Sequence, residues 1–262
     1  MPETNKSLIL TRDNHGVATL AFNRPNLHNA FDDKLIADLI IEFKRIELDP
    51  TIRVLVLTGL GKSFSAGADL NWMRKMVNYS KEQNYDDAIL LAEMLRLLDK
   101  LSKPTIARVN GSAFGGGVGL IACCDIVLAA SHAQFALTEV KLGLAPATIS
   151  PYVVAAIGQR QARRYFLTAE KFDAHQACQI GLVHQVFETE ALLDEAVKAK
   201  SEALLAAGPQ ALKATKRLIA SVSADMQHVD DALLGETAEL IARLRTSQEG
   251  QERLSAFLSK NK

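Results

Sequence analysis

Two hydrophobic periodicities divide the chain. Up to about Phe187, short apolar or β-branched runs alternate with longer stretches whose apolar residues recur three and four apart; beyond it only the helical pattern continues. Ser7 to Thr11 and Val17 to Phe22 read as strands joined by the turn D-N-H-G, a hairpin. The amphipathic run Asp32 to Leu48 predicts a helix that Asp49-Pro50 ends, since the residue before a proline is pushed out of the helical region. Arg53 to Thr58 predicts a strand too apolar to face water on either side. A loop dotted with glycine and serine, Gly59 to Ala68, leads from it to a short helix through Leu70, Met73 and Met76. Ile89, Leu90, Met94, Leu97 and Leu98 mark Tyr79 to Lys100 as helical. Thr105 to Val109 reads as a buried strand, followed by Gly111 and Gly115 to Gly117, and V-G-L-I-A-C-C then opens a buried helix. Ile126 to Ala129 is a further strand. Helices are expected at Tyr152 to Ile157, Arg160 to Thr168 and Ala174 to Ile180, with Gly181 as a stop. A last strand-like run, Val183 to Phe187, precedes helices at Glu190 to Ala207, Pro209 to Ser221 and Met226 to Arg245.

This asymmetry predicts an α/β fold, with a core over residues 1–190 and a helical region over 191–262. No sequence repeat or low-complexity linker is visible. A hydrophobic fraction of 48% with 23% charged residues excludes a disordered chain. Thirty Lys and Arg balance thirty Asp and Glu, so no net field favours nucleic acid or an anionic membrane. The start, M-P-E-T-N-K, lacks the apolar run of a signal peptide, and no apolar stretch reaches membrane-spanning length, so a cytoplasmic protein is expected. Cys123, Cys124 and Cys178 are odd in number and lack C-x-x-C spacing, which fits reduced core residues in a reducing compartment. The histidines form no metal-binding spacing, and neither a metal nor a cofactor is expected.

Three places could carry chemistry. The glycines at 115–117 lie between a strand and a helix, where backbone N–H groups meet a cavity with no side chain in the way. They suit an anion cradle, a donor for charge that develops during a reaction, or simply tight backbone packing. The pattern matches neither common nucleotide-binding glycine motif. S-F-S-A-G-A-D-L-N-W-M, Ser63 to Met73, is a second junction of this kind, with N–H groups near Ala66 to Ala68 and Asp69 as an N-cap. Two donors converging on one oxygen would form an oxyanion hole, in which removing a donor costs about 10²–10³ in rate. Glu139 stands in the mostly apolar F-A-L-T-E-V-K-L-G-L-A-P, where burial would raise its pKa toward that of a general acid or base. An ion pair with Lys141 or Arg163 is the competing explanation.

The ordered combination of S-F-S-A-G-A-D-L, P-T-I-A-R-V-N-G-S-A-F-G-G-G-V-G-L-I-A-C-C-D-I and F-A-L-T-E-V-K-L-G-L-A-P resembles the enoyl-CoA hydratase/isomerase (crotonase) superfamily. N-R-P-N-L-H-N-A-F, A-C-Q-I-G-L-V-H-Q-V and A-F-L-S-K extend the resemblance over nearly the whole chain. It implies a spiral of ββα units and a C-terminal helical region that builds a homotrimer or a hexamer of two trimers. It also implies an acyl-CoA substrate, with coenzyme A as part of that substrate and not a cofactor. By motif, the two N–H groups that hold the thioester oxygen belong to Ala68 and Gly116, and the acid/base is Glu139. The family's substrate and CoA contacts fall on Asn26, Leu27, His28, Ala66, Asp69, Leu70 and Gly115, and on Phe257 and Lys260 of the last helix.

One position departs from the pattern. Two-carboxylate hydratases of the family carry a glutamate two residues after the triple glycine, where this chain has Gly119. The finer pattern, including V-K-L-G-L-A-P-A-T-I-S-P-Y-V-V and A-R-R-Y-F-L-T-A-E-K-F-D-A, is similar to the bacterial methylglutaconyl-CoA hydratases of leucine and isoprenoid breakdown. Such a substrate carries a distal carboxylate, for which Arg74, Lys75 and Lys141 are candidate partners or mere surface charges. The resemblance therefore implies a lyase adding water to a branched or carboxylated 2-enoyl-CoA. The alternatives are a Δ3-Δ2-enoyl-CoA isomerase using the same three residues, and a non-catalytic scaffold binding CoA or RNA.

Overall fold

In the computed structural model, which describes residues 3–5, 7–224 and 231–260, the chain opens on a strand its pattern did not predict. Polar Glu3–Asn5 (β1) is made a strand by antiparallel pairing with Leu8–Arg12 (β2). From β2 the chain returns as Val17–Phe22 (β3) through a turn in which Asp13 accepts from the N–H groups of His15 and Val17. Asp33–Leu48 (α1) starts on Asp32, whose side chain accepts from Leu35 N–H, and buries Leu35, Ile36, Leu39, Ile40, Phe43 and Ile46.

Then a unit of two strands and a helix recurs. Val54–Gly59 (β4) and Ser63–Ser65 (β5) lead to Leu70–Met76 (α2) and Lys81–Asp99 (α3). Thr105–Val109 (β6) and Ser112–Phe114 (β7) lead to Gly116–Ala122 (α4). Ile126–Ala130 (β8) and Gln134–Ala136 (β9) lead to Ser150–Thr168 (α5), which breaks at Gly158. Phe172–Asp173 (β10), Ala174–Gln179 (α6) and Gln185–Phe187 (β11) close the series. The first strand of each unit joins a seven-stranded sheet, β1-β2-β3-β4-β6-β8-β11, and the second joins a four-stranded sheet, β10-β9-β7-β5. The chain thus climbs as a spiral. The repeat is one of pairing geometry, with no repetition of sequence. β5, β7 and β9 escape the sequence pattern because three residues are too few to show a period.

β4 is buried on both faces, as its composition requires. Leu55 and Leu57 join the main core with Phe22, Phe31, Phe43 and Phe64, while Val54 and Val56 face the other way with Ile106, Leu128 and Ala130. Leu193 of Glu190–Ala206 (α7) covers that second face. Pro209–Ala224 (α8), Asp231–Thr246 (α9) and Gln248–Lys260 (α10) follow; the predicted start of a helix at Met226 lies outside the described residues. Few ties hold these helices to the core. Arg53 donates to the Ala207 carbonyl at 2.9 Å and Lys216 pairs with Asp125 at 2.7 Å, while Glu249 accepts from Gln210 and Ala211 N–H and so ties α10 to α8. None of the described side chains of α8 to α10 is buried. No helix among the described residues is long and apolar enough to cross a membrane.

Candidate active site

The first junction runs from β5 into α2. Asp69 caps α2, accepting from Asn71 and Trp72 N–H at 2.7 and 3.3 Å, as expected of an N-cap. The turn is sewn to the segment before α1: Phe31 N–H donates to the Gly67 carbonyl and Asp69 N–H to the Phe31 carbonyl, each at 2.7 Å. Ala68, between those two bonds, bridges to Phe31 in parallel register, so its own N–H points away. Ser65 Oγ donates to the Asn29 carbonyl and accepts from Gly67 N–H, fixing the turn from beneath.

The second junction runs from β7 into α4, which no side chain caps. Gly115 sits at φ +51°, a conformation L side chains rarely adopt, and its N–H donates to the Ala136 carbonyl at 3.0 Å. Gly116 is the first residue of α4, where an N–H has no partner within the helix. Among the described residues, neither Ala68 N–H nor Gly116 N–H has a hydrogen-bond partner. The two junctions abut. A Cβ at Gly67 would lie 2.9 Å from the Phe114 carbonyl oxygen, and one at Gly117 would lie 2.8 Å from that of Ser65. Parallel pairing of β5 with β7 brings them together.

Glu139 begins the short 3₁₀ turn Glu139–Leu142 and reaches the glycine junction, with Oε1 3.1 Å from where a Cβ of Gly115 would be. It forms no ion pair among the described residues, so the alternative pairing with Lys141 or Arg163 is not made, and its Oε2 is buried without a partner. Burial pushes the Glu139 carboxyl above the usual carboxylate range, opposed by a hydrogen bond from its own backbone. A half-buried, unpaired carboxylate against the glycine junction, which itself abuts the Ala68 turn, can exchange protons with a substrate atom while an adjacent oxygen gains charge.

Gly119 lies one turn beyond Gly115 on the same face of α4. A Cβ there would stand 2.3 Å from Cγ2 of buried Ile149. The space a side chain at 119 would need is therefore filled from the P-A-T-I-S-P segment, and the site holds one carboxylate on this face.

The exposed turn Pro25–Leu27 carries Asn26 and Leu27, and the next residue, His28, shares a 3.0 Å hydrogen bond with Ser63 Oγ. Ala66 N–H donates to the His28 carbonyl, so residues 26–28 and 66–70 are neighbours although some forty positions separate them. Leu70 is exposed beside this loop. Phe257 and Lys260 lie on α10, but their side chains are outside the described residues. Arg74, Lys75 and Lys141 are all exposed, and Arg74 donates to Asn71. Cys123 and Cys124 are free and buried, and burial pushes the Cys124 thiol up to about 12. No group of three His, Cys, Asp or Glu among the described residues is arranged to hold a metal ion. Two clefts elsewhere, of about 400 Å³ between α8 and α9 and about 510 Å³ beside α5, contain neither Ala68, Gly116 nor Glu139; Cys124 lines the second. Sequence reading passed over Arg24, Asn29 and Ile149. The first two stand inside the quoted N-R-P-N-L-H-N-A-F and Ile149 inside the quoted V-K-L-G-L-A-P-A-T-I-S-P-Y-V-V, which were the available signals.

Residues 12–262 match the family described as enoyl-CoA hydratase/isomerase. The chain is 33% identical to the crotonyl-CoA hydratase of Syntrophomonas wolfei, over 98% of this chain and 96% of that protein. It is 33% identical to the 2,3-dehydroadipyl-CoA hydratase of Escherichia coli, over 97% and 96%. Among solved structures, an enoyl-CoA hydratase from Shewanella pealeana superposes with a TM-score of 0.92 at 46% identity, over 97% of this chain and 94% of that one.

Proposed function

The chain belongs to the enoyl-CoA hydratase/isomerase family, and from that premise we propose that it adds water to a 2-enoyl-CoA whose acyl chain is branched or carboxylated, such as 3-methylglutaconyl-CoA. The observation that carries this reading is Glu139, a half-buried carboxylate with a buried Oε2 and, among the described residues, no counter-ion, placed against the glycine junction. The thioester oxygen lies between Ala68 N–H and Gly116 N–H. Glu139 takes a proton from water as the water oxygen bonds to the β-carbon; the electron pair of the double bond moves toward the thioester oxygen, where the two donors stabilise it. Glu139 then returns a proton to the α-carbon and is ready again, leaving a 3-hydroxyacyl-CoA. Asn26 to His28, Ala66, Asp69, Leu70 and Gly115 hold the CoA end, joined by Phe257 and Lys260.

The carboxylated substrate is supported by the finer sequence pattern and by a relative named for dehydroadipyl-CoA, with Arg74, Lys75 or Lys141 as the partner of the distal group. A homotrimer or hexamer is supported by the uncovered apolar side chains of the C-terminal helices, among them Ile219, Ile241, Leu254 and Leu258. The isomerase is the second reading, favoured by the filled space at Gly119: with no second carboxylate, Glu139 would carry one proton between α- and γ-carbons.

A panel of crotonyl-, 3-methylcrotonyl-, 3-methylglutaconyl- and 3-hexenyl-CoA decides between them. Gain of water, greatest with 3-methylglutaconyl-CoA, is the expected result; unchanged mass with a moved double bond would establish the isomerase. Glu139→Gln matching wild type on every ester would leave only the non-catalytic scaffold.

A further inference from the structure

Among the described residues nothing binds Ala68 N–H directly, so its direction depends on the neighbours, and these converge on Arg24. The Arg24 guanidinium is largely buried, its side chain 15% exposed. It donates to the Ala30 carbonyl at 2.7 Å, pairs with Asp32 at 2.9 Å and with Asp69 at 3.2 Å. Its backbone N–H donates to the side chain of Asn29, a buried left-handed residue at φ +55° whose amide in turn donates to the carbonyls of Leu60 and Ser63. One residue thus ties the cap of α1, the cap of α2 and both segments that clasp Ala68. It also offsets two carboxylates close to where charge would gather.

We infer that Arg24 is a positioning residue that aims Ala68 N–H at the reacting oxygen, an inference that rests on the oxyanion-donor reading above. A planar fork can meet three acceptors at fixed angles; the point charge of lysine cannot.

Isotope-edited infrared spectroscopy of bound butyryl-CoA labelled at its carbonyl carbon tests this, since hydrogen bonds to that oxygen lower its stretching frequency. The wild-type protein is expected to lower it, Arg24→Gln to lose much of that shift, and Arg24→Lys, which keeps the charge and guards against a misfolded variant, to lie between. In parallel, kcat on crotonyl-CoA and 3-methylglutaconyl-CoA should fall up to about 10²-fold in Arg24→Gln, the lower end of losing one donor, with KM nearly unchanged. A full carbonyl shift and full kcat in both variants overturns the role of Arg24 alone. No shift in the wild-type protein overturns the donor reading itself and this inference with it. A fall in kcat that merely follows the folded fraction, or an equal loss in KM, marks a structural contact and also overturns it.

Discussion

At the Ala68 junction side chains fix the turn: Ser65 from beneath, Asp69 at the cap, Asn29 and Arg24 from the preceding segment. At the Gly116 junction no side chain caps the helix; Gly117 packs on the Ser65 carbonyl and Gly116 on the Phe31 ring. Both leave an N–H unsatisfied at the start of a short helix. The difference is in tolerance. A polar clamp can lose one hydrogen bond at a modest cost in stability, whereas close-packed glycines have no room to give.

Glu139 lies against the glycine junction, and removing its charge should have the largest effect. Glu139→Gln is expected to lower kcat about 10²–10⁴-fold, as for loss of a general acid/base. Burial raises the pKa above its ordinary 4.5, so kcat/KM should fall on the acid side with an apparent pKa above that value. The folded chain then keeps this proton to higher pH than the unfolded chain does. Wild-type stability is therefore lost as pH rises from the unfolded pKa to the folded one, and is flat above it. The non-titrating glutamine variant escapes that loss, so its stability advantage should open across the same window; denaturant unfolding at several pH values measures it.

Gly119→Ala comes next. A Cβ 2.3 Å from Ile149 Cγ2 must displace packed side chain, at a cost of about 1–3 kcal/mol, and Gly119→Ala combined with Ile149→Ala, which removes that Cγ2, should cost less than the sum of the two single changes. Additive costs in a double-mutant cycle would mean the two positions do not share that space. Stability should fall least at the polar junction. Ser65→Ala removes one donated and one accepted hydrogen bond, and a stability loss of about 1 kcal/mol in urea unfolding is expected. A loss as large as that of Gly119→Ala would erase the contrast between the junctions.

Most elements that bury one face were legible, because burial writes a period. Asp32 to Leu48 showed both its apolar stripe and its cap, and the run at Val54 to Gly59 had no polar side to expose. The small sheet was not, since its strands of two or three residues owe their existence to pairing partners far along the chain. At the site, the two small-residue turns and Glu139 stood out individually through glycine spacing and a carboxylate among apolar neighbours. Their adjacency did not, nor did the absence of a counter-ion for Glu139: Lys141 and Arg163 were equally available on paper.

Sequence by itself therefore determined most of the helices and the longer strands, which turns can bare an N–H, and which acid stands among apolar residues, since each depends on neighbours within a few positions. Only the tertiary structure decided that Ser65 lies under Gly117, that Ile149 fills the space at Gly119, and that Arg24 reaches Asp69. Those contacts join residues 30 to 52 positions apart, and no local pattern encodes where a spiral of strands will bring its turns together.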